Sequence, residues 1–395
     1  MLDLRRHFSR FLNAEPGRLH FAAHSHHPWP DVTRDAQFQA WDDAARLMDD
    51  KWEHVLGPVL EEFRAHAARH LDLPDPSTIA VAPNTHEFLK RILSCFDRNR
   101  PIRILTSDSE FHSFSRQIAR LEEDREVAVT CVPVKPLSSF EDRFHSAAQA
   151  DYDLVFVSQV FFSSGFAIDL ERLADAAGDA MLAIDGYHGF MARPTSLAHL
   201  ADRAFYVAGG YKYAMAGEGA CFMHCPPGWG SRPRDTGWYA AFGDLTKAQG
   251  GQVAYSSDGW RFMGATFDPS GLYRFNAVMR WLSESGVTVA AIHAHAHALQ
   301  TQFVQLAAEC AGFEEASLVV PLEEPRRGNF LTIERPDARQ VHDRLKARQV
   351  VTDVRGNRLR IGFGLYQTQA EVVELVRRID EVGAFRSARD EHVQA

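Results

Sequence analysis

In the stretch VAGGYKYAMAGEGACFM, Lys212 lies between Tyr211 and Tyr213 and ahead of a glycine-rich turn. An amine in a restricted pocket can form a Schiff base with a carbonyl, and glycines let a backbone approach a ligand closely. An exposed loop lysine would leave the same trace. Upstream, AMLAIDGYHGF ends an apolar run with Asp185 and sets His188 three residues on. A carboxylate at a strand end can keep a heterocyclic nitrogen protonated, and an imidazole can stack on the ring. Taken alone, a capping aspartate and a core histidine are the commoner source of that pattern. Third, VAPNTHEFLKRIL puts Asn84 and Thr85 at the start of a predicted helix. Backbone N–H groups and a hydroxyl there suit a phosphate, or simply cap the helix.

The elements around these residues alternate. STIAVAPNTHEFLKRILSCF, RILTSDSEFHSFSRQIARLE, DLVFVSQVFFSSG with DLERLADAAGD, AMLAIDGYHG and RAFYVAGGYKY read as short apolar strands with helices between them, an α/β layer on a mainly parallel sheet. Before them, residues 31–70 space apolar residues at three and four and predict two helices broken near Gly57-Pro58. After them, one long helical stretch from Gly271 to Gly312 bridges to GNFLTIERP, ARQVHDRLKARQ, VVTDVRGNRLRIGFG and QAEVVELVRRIDEV. Those segments predict strand, helix, strand pair and helix, a small α+β unit.

The 395 residues carry a formal charge of −9, with 45% hydrophobic and 24% charged residues. No run of lysine and arginine suggests a nucleic-acid or anionic-membrane surface, and no apolar segment has signal-peptide or membrane-spanning length. Five cysteines without C-x-x-C spacing (Cys95, Cys131, Cys221, Cys225, Cys310) predict a reducing, cytoplasmic setting. Two histidine clusters raise the question of zinc. His24-Ser25-His26-His27 places three imidazoles in four residues, and His293, His295 and His297 lie on a predicted helix, 293 and 297 on one face. Neither is accompanied by a further ligand motif, so no metal is assigned; the second cluster reads as a solvated helix face.

A phosphate cradle, then an aspartate at a strand end, then a lysine is the order shown by pyridoxal-phosphate enzymes of the aspartate-aminotransferase-like fold. The chain resembles the class V branch of that fold, and within it kynureninase. GGYKYAMAGEGA resembles the kynureninase lysine motif, AIDGYHGF its aspartate-x-x-histidine strand end and FVSQVFFSSG its serine-bearing strand. SDSEFHSF resembles the segment whose phenylalanine stacks on the cofactor, and RRGNFLTI and VVTDVRGNRLRIGFGLYQT its small-domain segments. The resemblance runs from about residue 20 to about residue 380. It implies fold type I: a large domain on a seven-stranded, mainly parallel sheet (31–268), a linking helix (269–305), a small α+β domain (306–395), and an N-terminal segment (1–30) that packs with the small domain and reaches the site.

The same resemblance implies pyridoxal 5'-phosphate as a Schiff base on Lys212, Asp185 on its ring nitrogen, His188 beside the ring and Phe111 stacked on it. Asn84, Thr85 and Tyr211 would hold the phosphate, Ser158 would lie close to the cofactor, and Arg360 would clamp the substrate α-carboxylate. Trp238 and Thr266 match family positions on the phosphate side, Trp238 reaching across a homodimer interface. His24, Ser25, His26 and His27 stand where kynureninases usually read asparagine-serine-leucine-glycine, and Thr266 where they carry an asparagine. Both departures lie on the substrate and phosphate side, and mark where a different substrate would be read.

The activity so implied is hydrolytic Cβ–Cγ cleavage of a kynurenine-type amino acid to alanine and an aromatic acid, with Lys212 moving the α-proton and Tyr211 or Lys212 relaying protons. A class V aminotransferase or related lyase on another amino acid would use the same residues. A cysteine desulfurase would need a nucleophilic cysteine on a small-domain loop, and no cysteine follows Cys310. From a different class, the chain would be a pyridoxal-binding or interaction protein without catalysis.

Overall fold

The computed structural model describes residues 2–97, 99–244, 252–310 and 312–385. Twelve strands form among them: β1 (Leu19–His20), β2 (Ile79–Ala82), β3 (Ile102–Ser107), β4 (Val127–Val132), β5 (Leu154–Ser158), β6 (Met181–Asp185), β7 (Ala204–Gly209), β8 (Cys221–His224), β9 (Phe330–Glu334), β10 (Val350–Val351), β11 (Asp353–Arg355) and β12 (Arg358–Gly362). The seven-stranded sheet runs β2-β8-β7-β6-β5-β3-β4. β8 pairs antiparallel with β2 and β7, whereas the β7-β6-β5-β3-β4 ladder is parallel throughout. Covered on both faces by helices, its inner strands are short uninterrupted apolar runs: every residue of β2, β5 and β7 is buried. β4 is an edge strand with only its two end residues buried, and its weak pattern escapes a reading from sequence.

The helical segment at 31–70 breaks where expected, since Gly57 leaves helical dihedrals (φ −89°, ψ −111°) just before Pro58. A further break falls at Met48, with φ +52°. The stretch read as one linking helix, 269–305, is instead two helices, Ser270–Glu284 and Val289–Ala307. Gly286 adopts φ +65° between them, and the Thr288 side chain accepts from Ala291 N to restart the helix.

A second buried cluster gathers Leu299 and Phe303 with Ile333, Leu359, Val372 and Leu375, beside the antiparallel sheet β11-β12-β9. The N-terminal segment belongs to it: Leu19 and Phe21 are members, β1 pairs parallel with β10, and Ala22 bridges to Gly362. Its continuation, His24–Pro30, crosses from this cluster to the C-terminal ends of the central parallel strands. Glycines receive it. A Cβ at Gly362 would sit 2.2 Å from His24 Nδ1, and one at Gly217, whose φ is +72°, would sit 2.1 Å from the Trp29 ring.

Candidate active site

At the carboxyl ends of the central strands, where open α/β sheets bind their ligands, a cavity of about 230 Å³ opens. Its wall holds His24, Ser25 and His26 from the N-terminal segment; Asn84, Thr85 and Phe111 after β2 and β3, and Ser158 as the last residue of β5; Asp185, His188, Tyr211 and Lys212; and Arg360 from β12. Twelve residues singled out from sequence, scattered over more than 300 positions, thus meet in one place. Phe162, Tyr187 and Arg355 complete the wall and were not singled out.

Lys212 follows β7 through the turn at Gly210 and is buried. Its Nζ lies 2.5 Å from His188 Nε2, 5.6 Å from the centre of the Phe111 ring and 5.8 Å from that of Tyr187. Burial, and next the positive charge of Arg360, bring the Lys212 pKa down to about 7, against the pull of Asp185. The amine is therefore neutral and nucleophilic in mildly alkaline solution. The same burial, with Lys212 and Arg360 adding to it, holds His188 well below the usual histidine range, so both partners of the short contact are uncharged at pH 8.

Asp185 closes β6 and accepts from Tyr187 N at 2.9 Å. Burial raises its pKa, which the Tyr187 N–H and Lys212 oppose. At the other side of the cavity begins helix Thr85–Leu93, where Asn84 Oδ1 accepts from Glu87 N at 3.2 Å. That side chain is committed as the cap, which leaves the first-turn N–H groups and the Thr85 hydroxyl to an anion. Ser158 at the end of β5 donates from N and Oγ to Glu110 Oε2, at 2.9 and 2.6 Å, while Ser107 Oγ donates to Oε1 at 2.6 Å. Glu110 is fully enclosed and burial pushes its carboxyl up to about 8. Its position next to Phe111 in SDSEFHSF was the signal that a reading from sequence passed over.

On the small-unit side, Arg360 donates to Phe162 O and to Asp353 Oδ2 and is almost wholly buried. Arg358 donates to Ser163 O at 3.1 Å, so two arginines of β12 pin the loop after β5. Arg355 closes the D-V-R triplet two residues after Asp353 and reaches the cavity wall beside Arg360. His26 Nε2 lies 2.6 Å from Tyr211 Oη and ties the N-terminal segment to the lysine loop.

Several expectations need correction. His27 lines no part of the cavity. Its Nδ1 donates to Pro28 O at 2.8 Å, the ring packs against Phe8, Tyr213 and Tyr366, and burial lowers its pKa to about 4. Thr266 is exposed and lies outside the cavity of this chain. Trp238, expected to act across a dimer interface, is exposed as well, its ring tilted against that of Tyr239 at 4.0 Å. The 293–297 histidines are not a solvated face. His293 Nδ1 bonds Asn329 Oδ1 at 2.8 Å, His295 Nε2 bonds Gln367 O at 3.1 Å, and His297 bonds Arg327 O at 3.1 Å, each joining the helix to the small unit. Among the described residues no group of three or more His, Cys, Asp or Glu could hold a metal ion, and no helix is long and apolar enough to cross a membrane.

The chain is similar to several solved structures over nearly its whole length. A cystine C–S lyase in complex with its product cysteine persulfide superposes with a TM-score of 0.81 at 14% identity, covering 94% of this chain and 99% of the other. A cysteine desulfurase from Thermococcus onnurineus gives 0.80 at 16% identity, covering 97% and 98%, and the desulfurase CsdA from Escherichia coli 0.74 at 17%, covering 95% and 98%. A mutant of the lyase carries glycine linked to its pyridoxal-phosphate cofactor. The fold is the type I fold of pyridoxal-phosphate enzymes. A family model of the kynureninase C-terminal domain matches residues 292–379, which span the second linking helix and the small unit. No curated protein sequence matches the chain.

Proposed function

We propose that this protein is a pyridoxal-phosphate-dependent enzyme of the class V type that acts on an amino acid and breaks a bond at the substrate's β-carbon. The observation that carries the reading is the buried Lys212 amine, flanked by the Phe111 and Tyr187 rings, in a cavity with a carboxylate and a helix N-terminus on its wall. The residues fit the cofactor. The first turn of helix Thr85–Leu93 and the Tyr211 hydroxyl would take its phosphate, Asp185 its ring nitrogen, Phe111 and His188 its faces, with Ser158 close by and Lys212 joined to its aldehyde. Once bound, pyridoxal phosphate supplies an electron sink for negative charge at the substrate's α-carbon.

This chain's own residues do the rest. Arg360 would orient the substrate by its α-carboxylate, with His24, Ser25 and His26 shaping the far wall. Lys212, released by the substrate amine and neutral above about pH 7, would take the proton from the α-carbon. Tyr211, hydrogen-bonded to His26, would pass protons between the lysine and the β-substituent. In a homodimer the exposed Trp238 and Thr266 would serve the phosphate of the partner's site. The match over residues 292–379 favours kynurenine-type hydrolysis as a second, narrower reading, while the structural neighbours favour a C–S bond. A desulfurase that parks sulfur on its own cysteine is disfavoured, since Cys310 is buried and lines no part of the cavity.

Purified protein supplied with pyridoxal phosphate should show a visible chromophore that Lys212→Ala abolishes; an unchanged spectrum in that variant refutes the assignment. Assays with L-kynurenine, L-cysteine and L-cystine then divide the readings. Alanine with an aromatic acid marks the hydrolase, sulfide or persulfide the lyase, and a keto acid with the pyridoxamine form marks an aminotransferase instead.

A further inference from the structure

Arg360, the expected carboxylate clamp, already holds a carboxylate. Its Nη2 donates to Asp353 Oδ2 and its Nη1 to Phe162 O, while Nε is buried with no hydrogen-bond partner. Asp353 therefore engages the guanidinium at one nitrogen, although Nε and Nη2 point the same way and together offer the two-point fork that a carboxylate fits best. Around Asp353 two other groups wait at longer range. His24 Nε2 is 3.7 Å from Asp353 Oδ2, and Arg355 Nε is 3.7 Å from Oδ1. His24 is completely buried and neither of its ring nitrogens has a hydrogen-bond partner, a costly state for a polar side chain. Its ring is held flat against Phe330, 4.5 Å away, beside Gly362.

We infer that Asp353 is a placeholder for the substrate carboxylate: an incoming carboxylate takes Nε and Nη2 of Arg360, and Asp353 is handed over to His24 and Arg355. This rests on the proposed role of Arg360 and adds to it a positioning role for Asp353 and His24. Charges balance in both arrangements. Without substrate, one aspartate serves two arginines; with it, each arginine has its own carboxylate, and a histidine nitrogen left bare gains an acceptor. No proton or covalent bond needs to move.

The sign of one substitution decides the matter. An aspartate that merely holds Arg360 in place would, when changed to asparagine, loosen the clamp and weaken binding. A placeholder, once neutralised, competes less. Asp353→Asn should therefore tighten binding of 2-methylalanine, which has an α-carboxylate but no α-proton to lose, by about tenfold, or about 1.4 kcal/mol. Affinity is read from the absorbance of the holoenzyme, and in parallel by calorimetry with propionate, which needs no reaction with the cofactor. Isopropylamine, without a carboxylate, should bind Asp353→Asn and wild type alike. His24→Phe keeps the stack on Phe330 and removes the N–H donor that would receive Asp353, so it should weaken 2-methylalanine binding severalfold in the wild-type background and leave it unchanged in Asp353→Asn. Weaker or unchanged binding in folded Asp353→Asn, additive effects of the two substitutions, or no heat with propionate in any variant overturns the inference. If the wild-type protein shows no chromophore, the cofactor reading fails, and the propionate measurements still decide the role of Asp353.

Discussion

Replacing Lys212 by methionine should make the cofactor-free protein more stable, and by an amount that depends on pH in a set direction. The lysine's pKa falls from 10.5 to about 7 on folding, chiefly through burial. At 1.36 kcal/mol per unit, holding this amine charged in the folded state costs on the order of 5 kcal/mol at most. Below pH 7 the amine is protonated in both states and the folded protein bears the whole cost. Between pH 7 and 10.5 the unfolded chain binds the extra proton, so wild-type stability climbs with pH; above 10.5 the cost is gone. Methionine, similar in length and without charge, bears none of it. It also gives up the contact with His188, so a gain of about 2–4 kcal/mol near pH 6.5 is expected, shrinking toward zero by pH 10.5. Urea unfolding of both cofactor-free proteins at several pH values measures this. A gap that does not change with pH, or a wild type more stable than the variant at pH 6.5, would refute the argument that burial sets the amine's pKa.

Glu110→Gln carries the opposite dependence. With the folded carboxyl raised to about 8 by burial, the wild type loses stability as pH rises from the usual carboxylate range toward 8, so the variant's melting temperature should gain on wild type over that window. Gly217→Ala forces a side chain into φ +72° and against the Trp29 ring, and should destabilise the protein by about 2–4 kcal/mol, detectable in denaturant midpoints together with weaker cofactor retention. Asn329→Ala removes a buried amide that donates to Ala192 O at 3.0 Å and pairs with His293 Nδ1; a loss of about 2–3 kcal/mol in urea unfolding is expected. Phe111→Ala should leave the melting temperature within a few degrees, because the ring is partly exposed, yet shift the chromophore's absorbance and weaken pyridoxal phosphate binding.

The parallel ladder was legible because strands buried on both faces must be apolar throughout, and β2, β5, β6 and β7 are near-uninterrupted runs. β4, half wet at the sheet's edge, has no such pattern. Lys212, Asp185 and the start of helix Thr85–Leu93 were legible for a related reason: each sits where a strand stops and the chain must turn toward the ligand face. Tyr187 and Glu110 each adjoin a residue that was picked out, His188 and Phe111, and what separates Glu110 from an ordinary glutamate is burial and a bond from Ser158 on a later strand, whereas Arg355, five positions before Arg360, is exposed and is marked only by the cavity it borders. No local pattern carries that information. His27 went wrong in the converse way, since the order of residues in a loop does not say which of three neighbouring imidazoles turns inward. The 293–297 histidines looked solvent-facing only because the groups they bond, at Arg327, Asn329 and Gln367, arrive from later segments.

The pairing of Leu19 with Val350 and the seating of His24 against Gly362 have a consequence for how the molecule comes into being. The wall that His24 forms is translated more than 300 residues before Gly362 and cannot be fixed in place until the ribosome has passed that glycine. The seven strands of the sheet that positions Lys212 all precede Gly362 in the chain, the last ending at His224, so a chain that folds as it is made would hold that amine on an unroofed surface. Closing the roof is a contact of very high sequence separation, and such contacts form late and slowly. Under the proposed function, a cell that makes this protein would have an interval in which free pyridoxal phosphate could reach the lysine without passing through a finished entrance.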